Sequence, residues 1–135
     1  LLRGDEELVT QRNLQLQQDP ATGILGELGF GTQLLPFSGK DIQDEKILAT
    51  CHVATGRSDH LGGTLTPELF NSRQNASHDD ILYAPTKTPE IIVTQVRMHK
   101  NDESVAILEN FEPTPFLLQK LESEYPVERF ASGVS

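Results

Sequence analysis

The stretch IIVTQVRMHKNDESVAILENF, residues 91–111, has the clearest pattern in the chain. Apolar and polar side chains alternate over residues 91–99 and again over 104–111, and a polar connector containing Asn101 and Asp102 separates the two runs. Alternation with a period of two is typical of a half-buried strand, and a short connector containing Asn and Asp is typical of a hairpin turn. The stretch therefore predicts an antiparallel hairpin.

The segment after the hairpin, TPFLLQKLESEY at residues 114–125, predicts a helix. Thr114 is a candidate N-cap, Pro115 suits the first turn, and Pro126 ends the pattern. Its apolar residues are Phe116, Leu117, Leu118, Leu121 and Tyr125. We expect the face formed by Phe116, Leu117 and Leu121 to pack on the sheet.

KILATCHVAT, residues 46–55, is rich in small and β-branched side chains and predicts a further strand. We expect one antiparallel sheet built from this strand and the two hairpin strands, with residues 80–84 as an additional candidate. Thr66 followed by Pro67 predicts a short helix that ends near residues 71–74. Together these elements predict an α+β or mainly β fold.

Residues 1–40 are polar and glycine-rich, and they have few paired patterns. Residues 5–18 fit either a short helix or an extended arm, whereas the glycines of residues 23–31 suit a sharp turn or a close approach to another surface. We therefore divide the chain into an interface-forming arm, residues 1–40, and a globular domain, residues 41–135. The expected interface side chains are Ile24, Leu25, Leu28, Phe30 and Phe130.

Composition excludes several classes of partner. The 135 residues suit one domain, and 20 acidic against 11 basic residues give a net charge of −9. Lys and Arg are scattered singly, so we expect neither nucleic-acid binding nor docking on anionic membranes. The sequence has no apolar run of the roughly 20 residues that a membrane-spanning helix needs.

The chain contains one cysteine, Cys51, and so cannot form an internal disulfide. This favours an intracellular or virion setting. The opening LLRGDEELVTQRN becomes charged within three residues and predicts no signal peptide. Because the sequence does not begin with Met, we expect a processed product, a mature organellar chain or a segment of a longer chain.

Reactive residue types gather in TCHVATGRSDHLGG, residues 50–63. Adjacent residues on a strand point to opposite faces, so Cys51 and His52 cannot both reach one ion. Weak candidates for a metal site or a thiol site are Cys51, His60, His78 and Asp79, with Asp59 or Asp80 as substitutes for Asp79. Their spacing is irregular, and the favoured interpretation is a buried cysteine with histidines that face solvent. We predict no catalytic residue, metal or cofactor.

The glycine pattern GILGELGFG, residues 23–31, does not predict a nucleotide site. A phosphate-binding glycine loop follows a strand and opens a helix. This segment follows a turn at Asp19 and Pro20, and Pro36 comes shortly after it.

By elimination, the sequence favours a non-enzymatic structural or assembly subunit of a larger complex. A minor or cementing protein of a viral or phage shell fits this description, as does an accessory subunit of an organellar machine, and we expect an oligomer. One alternative is a small metal-dependent or cysteine enzyme that uses the candidate residues above. A second is a module that binds a peptide at an exposed sheet edge.

Overall fold

The computed structural model describes residues 2–124, and it confirms the α+β class. The helices within this range are α1 (Glu6–Gln18), α2 (Asp41–Asp44) and α3 (Pro115–Glu124). The strands within it are β1 (Leu25–Phe30), β2 (Cys51–Gly56), β3 (His78–Tyr83), β4 (Gln95–Lys100), β5 (Glu103–Glu109) and β6 (Glu112–Pro113). Short 3-10 turns lie at Pro20–Gly23, Asp59–Leu61, Pro67–Leu69 and Arg73–Asn75. No helix among residues 2–124 has the length and apolar composition needed to cross a bilayer.

The strands form two three-stranded antiparallel sheets, with orders β1-β2-β3 and β4-β5-β6. The prediction of a single sheet that joins residues 46–55 to the hairpin is therefore wrong, since β2 pairs with β1 and β3. The first half of the predicted strand is a turn instead. Ala49 has a positive φ of 77°, and both the amide and the hydroxyl of Thr50 donate to the carbonyl of Ile47.

The chain forms two compact units, each made from two separate segments. Among the described residues, the first unit contains residues 2–28 together with Val53–Ile81, and the second contains Gly29–His52 and residues 82–124. An extended N-terminal arm is not confirmed, because residues 6–18 form α1 and residues 25–30 form β1. The helical alternative for residues 5–18 is confirmed. The division near residue 40 stays a prediction.

The first unit has a small core in which Ala21, Leu65 and Phe70 are buried together. The helix predicted after Thr66 is replaced by two 3-10 turns. In the first turn, the Leu69 amide donates to the Thr66 carbonyl and the Phe70 amide donates to the Pro67 carbonyl. The helix does not form because the backbone is extended at Phe70, where the side chain is buried in the core.

The hairpin is confirmed in the second unit. Strands β4 and β5 pair antiparallel from Lys100↔Glu103 to Gln95↔Glu109, with a register shift between Val96 and Arg97. Asn101 has a φ of 54°, a left-handed conformation that Asn tolerates better than most residues. The first strand begins at Gln95 rather than at residue 91.

The C-terminal helix is confirmed as α3 and lies against β5. The Thr114 hydroxyl accepts from the Leu117 amide at 3.4 Å and donates to the Ala106 carbonyl at 2.8 Å, so this residue both caps the helix and fastens it to β5. Along the predicted packing face, Leu117 and Leu121 are half-buried, whereas Phe116 remains exposed. Residue 125, the last of the predicted helix, lies outside the described residues.

Candidate functional site

Three chain segments of the first unit meet closely at the carboxyl end of β2. The Gly56 amide donates to the Ile24 carbonyl at 2.8 Å, and the Arg57 amide donates to the Ser77 carbonyl at 2.7 Å. A Cβ on Gly26 would press on the Gly56 carbonyl, and a Cβ on Gly56 would press on the Ser77 carbonyl. Glycine at both positions therefore permits an approach that brings side chains of β1 and β3 together.

Glu27, His78 and Asp80 form a cluster at this junction. The Nε2 atom of His78 lies 2.9 Å from a Glu27 carboxylate oxygen and 3.4 Å from an Asp80 carboxylate oxygen. The other ring nitrogen, Nδ1, lies 2.5 Å from the Arg57 carbonyl oxygen. Since a carbonyl only accepts, Nδ1 carries a proton and donates it, and Nε2 is the atom that faces the two carboxylates.

The surroundings of His78 favour its charged form. Partial burial lowers the pKa of the imidazole, but the hydrogen bond to the Arg57 carbonyl and the nearby carboxylates of Asp80 and Glu27 raise it, and the pKa lies above its ordinary value. The His60 ring meets the His78 ring edge-on, with centroids 4.5 Å apart. The cluster thus concentrates negative charge around one half-buried ring.

The structure brings together some of the residues that the sequence singles out and separates others. His60 contacts His78 through its ring, and Asp80 joins the cluster. Asp79 belongs elsewhere, because its carboxylate lies 3.6 Å from the Arg12 guanidinium and accepts from the Ser77 hydroxyl.

Asp59, the other substitute ligand, is held by its own ion pair. Arg57 donates two hydrogen bonds of 2.9 Å to the Asp59 carboxylate. These bonds lower the pKa of Asp59 and raise that of Arg57. The bidentate pair fixes the loop that carries His60.

Cys51 has the environment of a structural thiol. Its side chain is buried at the start of β2, and desolvation raises its pKa. A catalytic thiol needs the opposite shift, toward the thiolate. His52 is also buried, and the expectation that it faces solvent is wrong. A Cβ on Gly29 would collide with the His52 ring, so the glycine of β1 leaves the space that the ring occupies.

Glu27 is not among the site residues predicted from the sequence. It is the one charged residue within GILGELGFG, and an isolated acid in an apolar, glycine-rich strand is the local signal that marks it. The strand pairing that places it beside His78, 51 residues away, is not visible in that segment.

A second feature of the structure is the exposure of apolar side chains on and beside β1. Leu25 and Leu28 are 64% and 61% exposed, and Ile24 is 49% exposed. Phe30 is half-buried, and Phe130 lies outside the described residues. The role of these five residues at an interface stays a prediction.

Comparison with protein-family models, with curated proteins and with solved structures finds no match for this chain.

Proposed function

We propose that this chain is a non-enzymatic structural or assembly subunit that associates with further copies of itself through β1. One observation supports the proposal above others. Leu25 and Leu28, on an outer strand of the β1-β2-β3 sheet, are each more than half exposed.

Burial of these leucines against a partner favours association. Complete burial of a leucine side chain contributes about 1.5–3 kcal/mol. Because both side chains are mostly exposed in the single chain, most of this free energy is still available when they become buried against a partner. An outer strand also presents backbone amides and carbonyls that pair readily with another strand. Apolar contact and strand pairing therefore act at the same place.

The net charge opposes association, and the resulting salt dependence distinguishes apolar association from association through ion pairs. Copies with a charge of −9 repel one another, and dissolved salt screens that repulsion over a Debye length of about 10 Å at 0.1 M. We expect the oligomer to strengthen as ionic strength rises. Association held together by ion pairs weakens under the same conditions.

Sedimentation equilibrium on the full chain and on a Leu25→Thr/Leu28→Thr variant tests the proposal. Threonine retains the preference for a strand while removing most of the apolar surface. The matched control is Leu69→Thr, because Leu69 belongs to the same unit and is 60% exposed, but lies on a 3-10 turn away from β1 in sequence.

The unaltered chain and the Leu69→Thr variant are expected to sediment as the same oligomer, and the double variant as a monomer. A monomeric unaltered chain at all concentrations and salt levels contradicts the proposal. So does a double variant that keeps the mass of the parent.

A further inference from the structure

We infer that Glu27, His78 and Asp80 form a binding site for a divalent first-row transition-metal ion. The three side chains project from the two outer strands of the first sheet, β1 and β3, and their ligand atoms all lie within 4.8 Å of one another. The site consists of charged and polar side chains, whereas the proposed association uses the exposed apolar side chains of β1.

The orientation of the imidazole ring is the first argument. Its Nδ1 donates to the Arg57 carbonyl, so the lone pair of a neutral ring is on Nε2 and points toward Glu27 and Asp80. Metal-binding histidines commonly donate their second nitrogen to a backbone carbonyl in this way, which fixes the ring for coordination. When a metal ion replaces the proton on Nε2, three acceptor atoms converge on the ion, which then neutralises the two carboxylates in place of the proton.

The spacing of the acceptor atoms is the second argument. Metal bonds of about 2.1 Å place neighbouring ligand atoms about 3.0 Å apart in an octahedron and about 3.4 Å apart in a tetrahedron. The Nε2 atom lies 2.9 Å and 3.4 Å from the two carboxylate oxygens. The imidazole nitrogen and each carboxylate therefore already have the separation that two ligands of one ion require, and all three ligand atoms lie within 4.8 Å of one another.

The set of donors indicates the class of ion. One imidazole nitrogen with two carboxylates suits Zn²⁺, Mn²⁺ or Fe²⁺, whereas Ca²⁺ and Mg²⁺ prefer sites made of oxygen alone. A bound ion links β1 to β3 across β2, so it stabilises the sheet. Three protein ligands leave further positions for water.

Isothermal titration of the full chain with Zn²⁺ tests the inference, together with melting curves in the presence and absence of the ion. We expect one ion per chain and a higher melting temperature with zinc. Asp80→Asn and Glu27→Gln should each weaken binding at least 10-fold. Asp79→Asn is the matched control, because it removes the same charge from the adjacent residue, which pairs with Arg12 instead.

Circular dichroism shows whether each variant is folded. Because the two ligand substitutions lie on different strands, one of them still tests the inference if the other variant does not fold. Equal losses for Asp79→Asn and Asp80→Asn overturn the inference, since they indicate general attraction of cations to an acidic surface. Absence of saturable binding by the unaltered chain also overturns it, and assigns the cluster to an ion pair between a protonated His78 and its two carboxylates.

Discussion

Asp19 connects two segments of the first unit through a buried carboxylate, and its replacement by alanine should destabilise the fold. Its side chain accepts from the Asn71 amide at 2.9 Å and from the Asn75 side-chain amide at 3.1 Å. Asp19 itself is 1% exposed and directly follows α1. The carboxylate therefore holds the loop after residue 70 against the end of the helix.

The magnitude follows from these two bonds. A hydrogen bond to a charged group contributes about 1.5–3 kcal/mol, and its loss is partly offset where the freed donor regains water. Asn71 is exposed and Asn75 is half-buried, so partial rehydration applies to both donors. We expect Asp19→Ala to lower the free energy of unfolding by about 2–4 kcal/mol, a large share of the roughly 5–15 kcal/mol typical of a domain.

Urea unfolding at pH 7, followed by far-ultraviolet circular dichroism, measures this loss. Asp19→Asn retains an acceptor oxygen without the charge and should cost about 1 kcal/mol, because neutral hydrogen bonds contribute less. Asp79→Asn serves as the surface control, since the Asp79 carboxylate is exposed and its ion pair with the half-buried Arg12 should contribute less than about 1 kcal/mol. If Asp19→Ala costs no more than Asp79→Asn, the reasoning about the buried carboxylate is wrong.

Two further substitutions test local features of the fold. Asp44 accepts from the Ser38 amide and hydroxyl and from the Gly39 amide, and these bonds lower its pKa. The stability that the Asp44 carboxylate contributes is present above the ordinary carboxyl pKa and is lost as pH falls through the lowered pKa. Asp44→Asn should therefore lower the melting temperature at pH 7 and have little effect at strongly acidic pH. A difference in melting temperature that stays the same at all pH values contradicts this prediction. Gly56→Ala should destabilise the chain more than Gly62→Ala in urea unfolding. Both glycines have positive φ, 95° and 84°, but only at Gly56 would the new Cβ collide with a carbonyl. If the two substitutions lower the free energy of unfolding equally, the strands do not approach closely at Gly56.

The hairpin and α3 were predictable because their signals are local. The alternation in residues 91–111 and the Asn101 turn specify β4 and β5 without reference to the rest of the chain. Thr114 and Pro115 likewise mark the beginning of α3 within one turn. Such patterns show which residues lie on the same face of a strand or helix. For strands that are adjacent in sequence, this is enough to predict how they pair.

The first sheet was not predictable in the same way, because its strands are separated by long irregular segments. Burial of His52 depends on the glycine at position 29 of another strand, and no property of residues 46–55 reveals that partner. The amino-acid pattern of this stretch was also a poor guide to burial, since every residue of β2 is either buried or half-buried and neither face is exposed. A strand buried on both sides leaves no polar face to mark its boundaries.

The candidate metal site depends on the same long-range pairing, and the glycines beside it are a second local signal in addition to the isolated acid Glu27. Gly26 precedes Glu27, and Gly56 precedes Arg57, whose carbonyl orients His78. Each glycine stands where a side chain would separate adjacent strands, so the backbone contact and the cluster beside it have a common cause. A glycine next to a lone carboxylate in an apolar strand therefore indicates a close strand contact with a polar group beside it, and identifying the facing residue requires the fold.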